Sequence, residues 1–183
     1  MSSTNNWYVI TGGPATGKTT LLAELEKLGH VVVPEAARTL IDQALAKKIT
    51  VKELRSDEKH FQENVVRLKE KIESEHDTNV LTFFDRGIHD TLAYMRYYNF
   101  KVEKWIERLM KKTRYKKVFL LDPLPTFHND YARTEDYDFT KRLHKILDNV
   151  YSDYGMKPIH VLIASPKIRA KFVLDQIKIE QRQ

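Results

Sequence analysis

Apolar residues fall along this chain in two rhythms: short dense runs, and longer stretches at helical spacing. Trp7 to Thr11 is a short apolar run closed by a glycine-rich turn, which predicts a buried strand. Lys18 to Leu28 predicts a helix with Leu21, Leu22, Leu25 and Leu28 on one face and Gly29 as its stop. Val31 to Pro34 is a second, β-branched strand. Glu35 to Lys47 carries Ala36, Ala37, Leu40, Ile41, Ala44 and Leu45 at helical spacing. Val51 to Glu75 reads as one long amphipathic helix, with Leu54, Phe61, Val65, Leu68 and Ile72 sharing a face.

The second half repeats the alternation. Val80 to Phe84 predicts a third strand ending at Asp85-Arg86-Gly87, and one or two helices occupy Ile88 to Lys112. Lys117 to Leu121 is a fourth strand, stopped by Pro123 and Pro125, and a polar stretch runs to Tyr137. Asp138 is a good N-cap for a helix whose buried face is Phe139, Leu143, Ile146, Leu147, Val150 and Tyr154. Ile159 to Ile163 is a fifth strand and Pro166 to Ile179 a last helix. This order predicts one α/β domain over residues 1–183, with a five-stranded, mostly parallel sheet covered by helices on both faces. In such sheets ligands bind beyond the carboxyl ends of the strands. Three suggestive segments end there: Gly12 to Thr19, Glu35, and Asp85-Arg86.

The motif after the first strand changes the picture from fold to chemistry. Gly12-Gly13-Pro14-Ala15-Thr16-Gly17-Lys18-Thr19 fits G-x-x-x-x-G-K-[ST] throughout, between a strand and a helix as the motif requires. Its glycines let successive N–H groups point at phosphate oxygens, and the helix N-terminus adds partial positive charge. Lys18 supplies a point charge to the β- and γ-phosphates. Thr19 offers a hydroxyl to Mg²⁺, a hard cation that prefers oxygen, and Thr20 completes the binding segment. A nucleoside triphosphate, ATP ahead of GTP, with Mg²⁺ is the expected ligand.

Composition narrows the alternatives. The chain has 183 residues, no cysteine and a net charge of +6. Disulfides, thiolate metal sites and cysteine nucleophiles are excluded. The Lys and Arg residues are interspersed with Glu and Asp, as on solvated helix faces, so nucleic acid is not expected as a partner. No apolar run approaches the ~20 residues that cross a bilayer, and Met1 to Asn6 lack a signal-peptide core. A cytoplasmic location is the default. The seven histidines show no H-E-x-x-H or comparable spacing, so a zinc site is not expected.

Two carboxylates bear on where a phosphoryl group would go. Glu35, just past the second strand, and Asp85, just past the third, can accept a proton from an attacking hydroxyl or hold Mg²⁺. Arg38 and Arg86 can neutralise phosphate charge. The plainer alternatives are that Glu35 caps a helix and that Asp85-Arg86 is a solvated pair. Gln62, on the long helix, can read a base, whereas Phe61 beside it fits core. Tyr94, Tyr97 and Tyr98 fit either a pocket wall or helix packing. His89 can reach substrate, although a surface histidine is the commoner case.

Taken together, the P-loop, "VVVPEAAR" and "FFDRG" resemble the P-loop kinases of nucleosides and nucleotides. Deoxynucleoside kinases carry a Pro-Glu after strand two, where the Glu is the general base; this maps onto Pro34-Glu35. Asp85-Arg86-Gly87 resembles their Glu-Arg-Ser and the Asp-Arg-aromatic of thymidylate kinases, and matches neither. A likeness over nearly the whole chain is to small kinase-like NTPases labelled AAA-family ATPases, related to the ribosylnicotinamide kinase domain of the bacterial NAD regulator. Their Glu-x-x-Arg is matched by Glu35 and Arg38, and their Asp-x-x-Arg by Asp130 and Arg133.

The resemblance implies a Mg-dependent phosphotransferase that moves the ATP γ-phosphoryl to a hydroxyl of a small nucleoside-like acceptor. Lys18 and Thr19 would hold triphosphate and metal, with Asp85 on metal or acceptor, Glu35 as base and Arg86 as charge partner. Asp122 to Tyr137 corresponds to a lid with Arg133 as its charge donor; a surface loop with an exposed Arg133 is the alternative. A hydrolase and a nucleotide-dependent binding switch are the rival functions.

Overall fold

In the computed structural model, which describes residues 5–124 and 137–180, strand β1 (Trp7–Thr11) is buried at every position. Its neighbours account for that: it lies between parallel β3 (Thr82–Asp85) and parallel β4 (Lys117–Leu121). β2 (Val31–Val33) pairs in parallel with β3, and β5 (Ile159–Val161) with β4. The five strands therefore run in the order β2-β3-β1-β4-β5. The predicted α/β architecture is present, and every described pairing is parallel.

Alternation along the strands sorts the core into two layers. Tyr8, Ile10, Phe83, Phe119, Leu121 and Val161 point to one face, where helices α1 (Lys18–Lys27) and α8 (Pro166–Glu180) cover them with Leu21, Leu25, Ala170 and Val173. Trp7, Val9, Phe84, Val118 and Leu120 point to the other. There α5 (Ile88–Tyr97), α6 (Lys104–Lys112) and α7 (Tyr137–Asp153) close the core with Ile88, Met95, Ile106, Leu143 and Leu147. A satellite cluster joins Ala36 and Ile41 of α2 (Ala36–Ala46) to Phe61 and Val65 of α4 (Glu58–Ser74).

Several expected boundaries move. The helix expected over Val51 to Glu75 is two: α3 (Val51–Leu54) and α4. Thr50 and Glu53 form a capping box at the start of α3, and Asp57 caps α4 by accepting from the His60 N–H. The apolar spacing runs across this break and hides it. Leu28, expected on the buried face of α1, is the C-cap residue and is exposed. Asp138 lies inside the first turn of α7, ion-paired to Lys141 at 2.9 Å, instead of at the N-cap. β3 begins at Thr82, because Asp77 to Val80 make a turn. β5 stops at Val161, leaving Leu162 and Ile163 exposed. Asp130 and Arg133 lie outside the described residues, as does most of the expected lid.

Candidate active site

The loop between β1 and α1 needs backbone shapes that few side chains tolerate. Gly12 and Gly17 have φ of 146° and 85°, and Ala15 is also left-handed at 55°. Gly13 is required for a different reason. A Cβ there would stand 2.6 Å from Cγ2 of Thr140 on α7. The loop is also clamped from α8, where Arg169 donates to Thr16 O at 2.8 Å and to Leu162 O at 3.0 Å. Lys18 is buried and donates to the carbonyls of Gly12 and Gly13 at 2.9 and 2.8 Å. Thr19 and Thr20 are exposed at the helix start.

Asp85 ends β3 beside this loop and is buried. Its Oδ1 has no hydrogen-bond partner among the described residues. Burial, reinforced by the neighbouring Glu35 charge, pushes its carboxyl up to about 6, against the pull of Lys18, Arg86 and Lys69. A buried carboxylate oxygen without a donor, sharing a groove with the Thr19 hydroxyl, is a hard oxygen set of the kind Mg²⁺ takes. The solvated-pair alternative for Asp85-Arg86 is excluded, since both side chains are buried.

Arg86 organises the neighbourhood. It is left-handed at φ 65°, and its side chain reaches the phosphate loop. Nε donates to Glu35 Oε1 at 2.7 Å, and Nη1 donates to Gly12 O at 2.9 Å and Asp90 Oδ1 at 3.2 Å. The guanidinium thus lies between carboxylates and a loop carbonyl. Asp90 is shared further: it accepts from Thr11, Tyr151 and the Gly87 N–H. Glu35 is the residue before α2, but its side chain makes no capping hydrogen bond. The helix-cap alternative for Glu35 is therefore set aside. Gly87 departs from the kinase patterns for a steric reason: a Cβ there would meet the Tyr151 hydroxyl at 2.5 Å and the Tyr115 ring at 2.7 Å.

Two depressions meet at Glu35. The first is the groove of Thr19, Val32, Pro34, Glu35, Arg38 and Asp85. The second is a narrow cleft between α2, α4 and α5. Ile41, Phe61, Val65 and Tyr94 form its apolar walls, and Arg38, Arg55, Lys69 and Arg86 bring positive charge. Gln62 lines it too, donating to Glu58 Oε1 at 2.8 Å, and Arg55 grips the same carboxylate. Phe61 both lines the cleft and belongs to the core. Tyr94 lines the cleft, whereas Tyr97 and Tyr98 pack against the core. His89 is not a surface residue, and it does not line the cleft. It is fully buried on Met110 O at 3.1 Å, and burial lowers its pKa to about 4.

Residues that sequence reasoning passed over complete this region. Asp90 stands one helical turn after Arg86, and Lys69 interrupts the apolar face of α4 at a position one turn from Val65; both were readable as polar intrusions on buried faces. Lys69 donates to Arg86 O at 2.6 Å, and burial lowers its pKa against the pull of Asp90, Glu73 and Glu35. Glu73 accepts from the Tyr115 hydroxyl, and burial raises its carboxyl from 4.5 to about 7.

Because the folded pKa of Glu73 is the higher one, its contribution to stability is complete below pH 4.5 and is lost as pH rises through about 7. Glu73→Gln should flatten that loss. Urea unfolding at about pH 5 and about pH 8 should show a wild-type decline exceeding the variant's by on the order of 3 kcal/mol. Equal declines would show that Glu73 does not titrate in this window.

Comparison with known proteins agrees with this architecture. Residues 7–169 match a family model described as an AAA domain. Thymidylate kinase from Ehrlichia chaffeensis superposes with a TM-score of 0.68 at 16% identity, over 94% of this chain and 97% of that one. Deoxyadenosine kinase from M. mycoides with bound dATP gives 0.62 at 16% identity, over 94% and 99%. NadR protein in complex with NR gives 0.63 at 18% identity, over 85% of this chain and 43% of that one. At these identities the likeness establishes a P-loop kinase fold. No curated protein matches the sequence. No helix among the described residues is long and apolar enough to cross a membrane.

Proposed function

The chain belongs to this AAA-domain family, and from that premise we propose that it is a phosphotransferase moving the γ-phosphoryl of ATP to a hydroxyl of a small nucleoside-like acceptor. The observation that carries the reading is the position of Glu35, which lines both the groove beside the phosphate loop and the cleft between α2 and α4. A group there faces donor and acceptor at once.

In this reading the loop amides and Lys18 bind the triphosphate, and Lys18 exchanges the carbonyls of Gly12 and Gly13 for phosphate oxygens. The acceptor lies in the cleft, its ring against Phe61 and Tyr94 and its polar edge toward Gln62. Its hydroxyl oxygen bonds to the γ-phosphorus as the bond to the β-bridging oxygen breaks and ADP departs. The hydroxyl proton passes to Glu35. Arg86 orients Glu35 through Nε and ties it to the loop through Gly12 O. Thr19 and Asp85 would hold Mg²⁺, which neutralises charge on the transferring phosphoryl oxygens. Arg133 is proposed to add charge from the segment that follows β4.

The similar deoxyadenosine kinase binds dATP and also dCTP, which supports a nucleotide or nucleoside for these two subsites, purine and pyrimidine alike. The test is a panel of nucleosides and vitamin-like alcohols incubated with γ-labelled ATP. Label transferred to an acceptor supports the kinase; free phosphate alone supports a hydrolase; tight binding without either supports a switch. EDTA should abolish transfer, and Mg²⁺ should restore it without Zn²⁺. Full activity in metal-free buffer would remove the roles given to Thr19 and Asp85.

A further inference from the structure

On the far side of the phosphate loop from the acceptor cleft, the fold assembles three metal-ligating side chains that no sequence spacing announces. Asp122 immediately follows β4, and its N–H donates to Val161 O at 3.1 Å, which holds it against β5. His160 is on β5, in register with Leu120. His144 is on α7. One donor atom from each lies within 4.8 Å of the other two.

The two distances from Asp122 are close to those of co-ligands. Asp122 Oδ1 is 3.6 Å from Nε2 of His144 and 3.5 Å from Nδ1 of His160. These separations are longer than a good N–H···O hydrogen bond. They are close to the edge of a zinc tetrahedron, about 3.3–3.4 Å for ligand bonds of about 2.0–2.1 Å. Nε2 of His160 has Asp148 Oδ1 behind it at 3.6 Å. Nδ1 of His144 is buried and has no hydrogen-bond partner among the described residues.

We propose that Asp122, His144 and His160 bind a zinc ion, with the fourth position open to water. Two imidazoles and a carboxylate suit a borderline ion; Mg²⁺ and Ca²⁺ take oxygen donors. The side chains are partly exposed, at 26%, 15% and 45% for Asp122, His144 and His160, so an ion can enter from solvent. The bound ion ties α7 to the β4–β5 edge. α7 is also the helix whose Thr140 packs on Gly13, so this cross-link steadies one wall of the phosphate loop. The site is separate from the Mg²⁺ position proposed at Thr19 and Asp85, and it does not depend on the reaction assigned above.

The whole chain, stripped of metal and dialysed against ZnCl₂, should retain about one zinc per molecule by mass spectrometry. Co²⁺ in its place should give the intense visible bands of a four-coordinate site. Zinc should raise the melting temperature. His160→Gln, at the most exposed ligand, should keep the wild-type circular dichroism yet lose zinc, the cobalt bands and the thermal shift. His144→Gln should lose the same three, while Lys18→Ala should keep its zinc. Failure of the wild-type chain to retain zinc overturns the proposal. So does unchanged retention in both histidine variants, which would place the ion on other histidines, or capture of Mg²⁺ in preference to zinc.

Discussion

Lys18→Ala should lower turnover by about 10²–10³-fold or more and weaken Mg-ATP binding, because the cation opposite the transferring phosphoryl group is gone. Lys18 is buried among loop atoms and donates to the carbonyls of Gly12 and Gly13. It thus braces the loop as well as facing a ligand. Gly12 O keeps its bond from Arg86 Nη1 and Gly13 O its bond from Thr16 Oγ1, so each carbonyl loses one of two donors. Hydrogen bonds worth about 1 kcal/mol each give a modest fall in melting temperature beside the lost activity. Calorimetric titration with Mg-ATP, run well below that temperature on material with native circular dichroism, separates the two effects. Unchanged affinity together with unchanged turnover would end the assignment of this loop to triphosphate.

Glu35→Gln should leave Mg-ATP affinity nearly unchanged and lower kcat by about 10²–10⁴-fold, the usual size of a general-base contribution. The amide oxygen can still accept from Arg86 Nε, now 2.7 Å from Glu35 Oε1, so the tie between cleft and loop survives in weaker form. The lost charge on a largely buried pair lowers stability as well. A helix-cap role predicts lost stability with activity intact, and it has no side-chain hydrogen bond behind it. A role in holding Mg²⁺ through water predicts weaker Mg-ATP binding that depends on Mg²⁺ concentration. Measuring kcat, Mg-ATP affinity and melting temperature on this one variant distinguishes the three. Near-wild-type kcat at saturating acceptor would remove Glu35 as the base.

Local signals carried much of this reading. The phosphate loop was legible because its constraints lie within consecutive residues: glycines where φ is positive, a lysine and a threonine opening the helix. The strands and most helices were legible because apolar spacing reports burial directly. Where one periodic face ran through a break, as from Val51 to Glu75, only the competing side-chain caps of Thr50 and Asp57 decided the outcome.

Tertiary structure decided how the charged residues are used. Glu35 and Asp85 could be placed at strand ends from the pattern alone, but the partners of Arg86 could not. They come from the turns after β1 and β2 and from α5, and they meet only because parallel strands bring their carboxyl ends to one edge. Asp90, Lys69 and Arg169 are polar residues on otherwise buried faces, and their value lies in partners distant in the chain. The same holds for Asp122, His144 and His160, whose ligand geometry has no counterpart in sequence spacing. The sequence by itself determined the elements, their alternation and the phosphate loop, because each of these rests on neighbours in the chain. The fold alone decided which buried charges pair, what Gly13 and Gly87 must make room for, and where a second ion can sit. Those depend on side-chain packing and electrostatics across elements that only chain folding brings into contact.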